Sequence, residues 1–139
     1  MNARLAIPVI WGLAGALLLK LWNAWDQLPS RVAVHFGLSL QPNGWSSKGA
    51  LAVIIALAVV GQAALATWLI LRVTSASGIM APVQLVVSLV LVCAFWQVIN
   101  YNAKGAQFQP LWILVPMVVL LATIAALLLL QMKFHYYRR

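Results

Sequence analysis

Acidic residues are almost missing: Asp26 is the only Asp or Glu in 139 residues, against nine Lys and Arg. Catalysis by paired carboxylates is therefore excluded, and with Asp26, His35 and the distant His135 as the nearest thing to a ligand set, no metal or cofactor is expected. Charge of either sign is scarce, at 7% of residues, where soluble domains carry about 25%. A soluble fold could not hide so much apolar surface from water. Cysteine occurs once, as Cys93, which excludes a disulfide within the chain. No charged residue stands near the middle of any long apolar run, so the usual mark of an ion path or proton relay is lacking. A net charge of +8 in a soluble protein would suggest nucleic acid, but the basic residues here stand singly at the ends of apolar runs. They read as membrane anchors, and no nucleic-acid partner is expected.

What is present is apolar sequence, 65% of the chain, arranged in runs at about 5–22, 50–71, 80–101 and 111–132. Each approaches the roughly 20 residues that carry a helix across a hydrocarbon core about 30 Å thick. Lipid offers the backbone no hydrogen bonds and the alternation of a membrane barrel is absent, so the runs must be helices. The predicted fold is an all-α integral membrane protein, a single domain over 1–139, with four transmembrane helices in an antiparallel bundle and an extended outer loop, 26–49, between helices 1 and 2. The start, Met1 to Leu19, has the outline of a signal peptide, but Lys20 and Trp22 crowd the cleavage candidate at Trp22-Asn23-Ala24, so it is read as a retained first span. Arg4, Arg72, Lys133, Arg138 and Arg139 gather on one side, and Lys20, Arg31, Lys48 and Lys104 on the other. The basic tail and Arg72 place both termini in the cytoplasm, with the loop outside. Trp22, Trp25, Trp45, Tyr101 and Trp112 would mark the outer boundary of the membrane, as expected of an aromatic belt.

Within the spans, small residues four apart (Gly12 with Ala16, Ala52 with Ala56, Ala122 with Ala126) would let helices approach closely. The Gln62 amide, mid-span, needs a partner, either another helix or a ligand. Cys93, Gln97, Asn100 and Lys104 recur at helical spacing in a stripe that grows more polar outward. Such a stripe either supports the outer loop or is a helix end becoming wet.

The loop is too long for an ordinary connection, which marks it as functional or disordered, and its pattern speaks for order. Val32, Val34, Phe36 and Leu38 alternate with Arg31, Ala33, His35 and Gly37, the period of an extended segment with one apolar face. Gln41-Pro42-Asn43-Gly44 is expected to form a turn, and Ser46 or Ser47 to cap the next helix. The predicted form is a short strand or hairpin laid on the helix ends, with Arg31 and His35 facing water or a partner. Asp26 could orient the His35 ring, and serines stand nearby, but no nucleophile-elbow pattern surrounds them, so no catalytic residue is assigned.

Leu28-Pro29, His35-Phe36, Pro42, Gly44-Trp45 and Ser47-Lys48 together resemble the bacterial family called domain of unknown function 1648, which also forms the N-terminal part of SdpI-type toxin-immunity and signalling proteins. Ala33 stands where that pattern usually has a second proline, Gly37 and Leu40 replace a usual Asn and Gly, and Asn43 replaces an Asp. The resemblance implies a non-catalytic protein of the bacterial inner membrane that binds lipid around it and a peptide or membrane-protein partner on its outer loop. Candidate partner-binding or loop-structuring residues are Asp26, Leu28, Pro29, Arg31, His35, Phe36, Pro42, Asn43, Gly44, Trp45 and Lys48, with Gln97, Asn100 and Lys104 as the supporting stripe. The other reading is a small accessory subunit of a larger membrane complex.

Overall fold

The computed structural model describes residues 3–37, 39–72, 77–105, 117–119 and 121–122. Three long helices dominate it: α1 over Ala6–Ala24, α2 over Lys48–Arg72 and α3 over Ser77–Lys104. A single 3-10 turn precedes α1 at Ala3–Leu5, and another follows it at Trp25–Gln27. All three helices are long and apolar enough to cross a membrane, as Ala6–Gln27, Lys48–Arg72 and Met80–Lys104. The chain is thus a multi-pass membrane protein. Residues 117–119 and 121–122 are helical, and the rest of the predicted fourth span, 111–132, lies outside the described residues.

The helices pack pairwise, α1 and α3 parallel and α2 running back between them in sequence. On α1 the buried positions are Ala6, Ile10, Ala14, Leu17, Leu21 and Ala24, and on α2 they are Leu51, Ile55, Val59, Ala63, Ala66 and Ile70. These follow the three-and-four spacing of one helix face. The opposite faces expose Val9, Leu19, Val53, Ile54, Leu57 and Leu65. Such exposure would be costly in water and is free in lipid, where helices associate through close packing and hydrogen bonds rather than hydrophobic force. The small residues that permit that approach are Ala6, Ala14, Ala63 and Ala66. Gly12 and Ala16 are exposed, on the side of α1 away from this stripe, so that expected contact pair is corrected; nothing lies within 4 Å of a Cβ built on Gly12.

Polar groups between the helices are paired. Gln62 Nε2 of α2 donates to Gln84 Oε1 of α3 at 2.7 Å, which answers the mid-span amide with a helix partner. Ser88 Oγ donates to the Gln84 carbonyl at 2.9 Å, and Trp11 Nε1 of α1 donates to Thr67 Oγ1 of α2 at 3.0 Å. Buried side-chain N and O atoms without a partner are absent among the described residues. In hydrocarbon each orphan would cost several kcal/mol.

Between α1 and α2 lies an antiparallel hairpin, β1 over Arg31–Phe36 and β2 over Pro42–Ser47. The extended segment read from alternating residues is therefore present, and it takes up half of the 26–49 connection. The turn is not where the sequence suggested. It spans Gly37 to Gln41, closed by Gly37 N–H to Gln41 O at 3.0 Å and Leu40 N–H to Gly37 O at 2.9 Å. Pro42, Asn43 and Gly44 belong to β2 instead. Leu40 takes the left-handed conformation, φ 60°, that an Asn-Gly pair would have accepted more readily. What Gly44 supplies in the strand is space: a Cβ there would meet the His35 Cβ at 2.7 Å.

Candidate functional site

The hairpin is held to the bundle by one side chain above the others. Asn102, in the last turn of α3, accepts from the Ala33 N–H through Oδ1 at 2.7 Å and donates to the Ala33 carbonyl through Nδ2 at 2.9 Å. The same Nδ2 donates to the Val98 carbonyl at 2.8 Å, so the amide is used on both sides. A side-chain amide bonded to both polar groups of one strand residue does what a third strand would do. It closes the outer edge of β1, whose N–H and C=O would otherwise be buried without partners, since Ala33 is fully buried. Asn102 was absent from the sequence candidates. Its signal was its phase: it falls three or four residues beyond Val98 and Ile99, which face the core.

Around this clamp Val32, Val34 and Phe36 turn inward as the alternation predicted. Ala33, which it placed on the opposite face with Arg31 and His35, is fully buried as well, because its backbone is drawn onto Asn102. Val32 is fully buried, Val34 packs on the core, and the Phe36 ring meets Tyr101 of α3 edge to face, centroids 5.0 Å apart. Leu28 is buried at the foot of the hairpin, its N–H donating to the Ala24 carbonyl at 3.2 Å. Lys48 N–H continues the ladder to Ser30 O at 3.2 Å, and its ammonium lies 4.9 Å from the Trp25 ring centre. Ser47 is the residue that caps α2, accepting from the Ala50 N–H at 3.1 Å.

The register explains what the other face presents. Ala33 pairs with Trp45, His35 with Gly44 and Phe36 with Pro42. Val34 is thus an extra residue on β1, and Asn43 an extra residue on β2. Bulges of this kind bend a strand and re-aim its side chains. Here the Asn43 amide turns onto His35, whose Nδ1–H donates to Asn43 Oδ1. Asp26 does not orient this ring: it lies exposed in the turn after α1, at the opposite end of the hairpin.

The candidate residues accordingly divide by what they touch. Leu28, Phe36, Pro42, Gly44 and Lys48 build the hairpin. Arg31, His35, Asn43 and Trp45 are exposed on it, with Asp26 and Pro29 exposed at its approach. Trp45 leaves half its surface open, and it flanks a shallow open depression with Arg31. Because the Ala33 backbone points away from β2 to reach Asn102, the opposed Trp45 N–H and C=O point to the free edge of β2. Of the expected stripe on α3, Gln97 and Asn100 are half-buried and Lys104 is exposed; none of the contacts of Asn102 with the hairpin is shared with them. No group of three His, Cys, Asp or Glu side chains gathers among the described residues.

Residues 11–59 match the model of a family described as Domain of unknown function (DUF1648). The matched stretch takes in α1 from Trp11, the whole hairpin, and α2 as far as Val59. No curated protein matches the chain, and no solved structure does.

Proposed function

We propose that this match marks a recognition module: a non-catalytic protein of the bacterial inner membrane whose hairpin binds a peptide or protein partner outside the cell, in an SdpI-like immunity or sensing role, with both termini in the cytoplasm. The observation that supports the reading is the division of labour in the hairpin. The β1 edge is held to the bundle by Asn102, and the Phe36 ring packs on Tyr101. The outward surface offers a half-open Trp45, the Arg31 guanidinium and the exposed His35 ring. A rigid aromatic with a nearby Arg is the combination that carries most binding energy at interfaces, and a pre-ordered loop loses less entropy on binding. A loop kept only as a connection needs neither a clamp nor two bulges.

The test is co-purification in mild detergent from native membranes. The intact chain is expected to bring down a discrete peptide or protein, and Arg31→Gln with Trp45→Ala to lose it while insertion and helix content stay the same. Equal recovery by the double variant would remove the hairpin from recognition.

A further inference from the structure

With β1 clamped to α3 by Asn102, the edge left for a further strand is that of β2. Arg31 pairs with Ser47, Val32 with Ser46 and Ala33 with Trp45 in unbroken register. Asn102 takes both backbone groups of Ala33, so Ala33 and Trp45 do not exchange hydrogen bonds, and the alternation of an antiparallel ladder turns Ser47 outward in the same way. The Trp45 N–H and C=O and the Ser47 N–H therefore lie along the edge away from β1, with no partner among the described residues. The Ser47 carbonyl belongs to the start of α2. Strand edges are commonly blunted by proline, bulges or lysine. Here Pro42 and the Asn43 bulge blunt the half next to the turn, and the stretch from Gly44 to Ser47 carries none of these.

Arg31 stands across Ser47 from that edge, on the face that Trp45 shares, and the Arg31 and Trp45 side chains line one shallow depression. Both are exposed. The guanidinium has no carboxylate partner among the described residues, since the chain's one acid, Asp26, stands in the turn after α1. A second copy of the chain would bring its own Arg31 and a net charge of +8 to the same edge, so an occupant of opposite charge is favoured. We infer that β2 captures an extended acidic peptide as a third strand, which exchanges both hydrogen bonds with Trp45, takes the Ser47 N–H and sets a carboxylate side chain against Arg31. Neighbouring strands lie about 4.8 Å apart, so residues two strands apart are separated by about 10 Å, a gap that an arginine and a glutamate bridge over a residue as small as serine. In strand addition the backbone bonds supply affinity, and the side chains at Trp45 and Arg31 supply the choice of sequence. The inference rests on the recognition role proposed above and names the chemistry of its partner.

The experiment selects random octapeptides, displayed on phage, against the full chain in nanodiscs. Enriched peptides are expected to carry Asp or Glu at one fixed position. They should slow exchange of the Trp45 and Ser47 amides by about tenfold, while the Ser46 amide, which faces β1, keeps its rate. Methylating the peptide amide opposite Trp45 should lower affinity about tenfold, and methylating either neighbouring amide, which points away from β2, should not. Arg31→Glu alters an exposed residue and should turn the preference from acidic to basic peptides. No enriched sequence, an acidic preference that survives Arg31→Glu, or equal loss at every methylated amide overturns the strand. Slow exchange of Trp45 and Ser47 without peptide, together with a dimer in the nanodisc, gives the edge to a second copy and overturns the acidic peptide. In each of those cases, a native partner that is still recovered with the chain and lost in Arg31→Gln with Trp45→Ala keeps the recognition role and removes strand pairing alone. Absence of that partner removes both.

Discussion

Replacing Asn102 by alanine should release the hairpin without unfolding the helices. The side chain supplies both hydrogen bonds to the Ala33 backbone, at 2.7 and 2.9 Å, and Ala33 has no exposed surface through which water could take over. A buried donor or acceptor left without a partner costs about 1–3 kcal/mol, so the two groups together would cost at least about 2 kcal/mol if the hairpin stayed in place. Opening the hairpin relieves that cost, so the loss should appear as local opening rather than as global unfolding. Two kcal/mol corresponds to roughly thirtyfold faster exchange of the Ala33 amide. Amide hydrogen exchange in nanodiscs reads this directly, with Ile55, buried in α2, as the internal standard that should not change. Asn102→Asp sharpens the test. It keeps an acceptor for the Ala33 N–H but faces a carboxylate toward the Ala33 and Val98 carbonyls, so its hairpin should open at least as far as in the alanine variant. Full protection of the Ala33 amide in Asn102→Ala would refute the clamp.

Other consequences follow from particular contacts. Gly44→Ala places a Cβ 2.7 Å from the His35 Cβ, and should cost about 1–3 kcal/mol as overpacking, seen as faster exchange along β1 with the helices unaffected. A double-mutant cycle on Phe36 and Tyr101 should return a coupling of about 0.5–1.5 kcal/mol in thermal unfolding; additivity would mean the two rings stabilise independently. Gln62→Leu alone strands the Gln84 amide between α2 and α3, so it should lower the melting temperature more than Gln62→Leu combined with Gln84→Leu. An equal or larger loss in the double variant would show that the pair is not coupled.

The three long helices described were legible because a run of apolar residues has only one way to satisfy its backbone in lipid. Which face of each helix turns inward was not, since Leu, Val and Ala cover all sides and lipid accepts any of them. That is why Gly12 and Ala16 looked like a contact and are exposed, and why Asn102 was not singled out beside Gln97, Asn100 and Lys104. The hairpin was legible in the alternation of Val32, Val34 and Phe36. Its turn was not, because Pro-Asn-Gly carries the local signature of a turn, while the need for Gly44 arises from a residue nine positions earlier in the chain, His35. Asn43 is likewise explained only across the strands, by the bulge that brings its amide to His35.

The account rests on the hairpin's outward face meeting a partner, and Trp45 is the place to ask. A photo-crosslinking amino acid introduced at position 45 and activated in native membranes should yield a discrete adduct with a peptide or protein, lost when Asn102→Ala releases the hairpin. Crosslinks to lipid alone, with the chain otherwise unmodified, would contradict it.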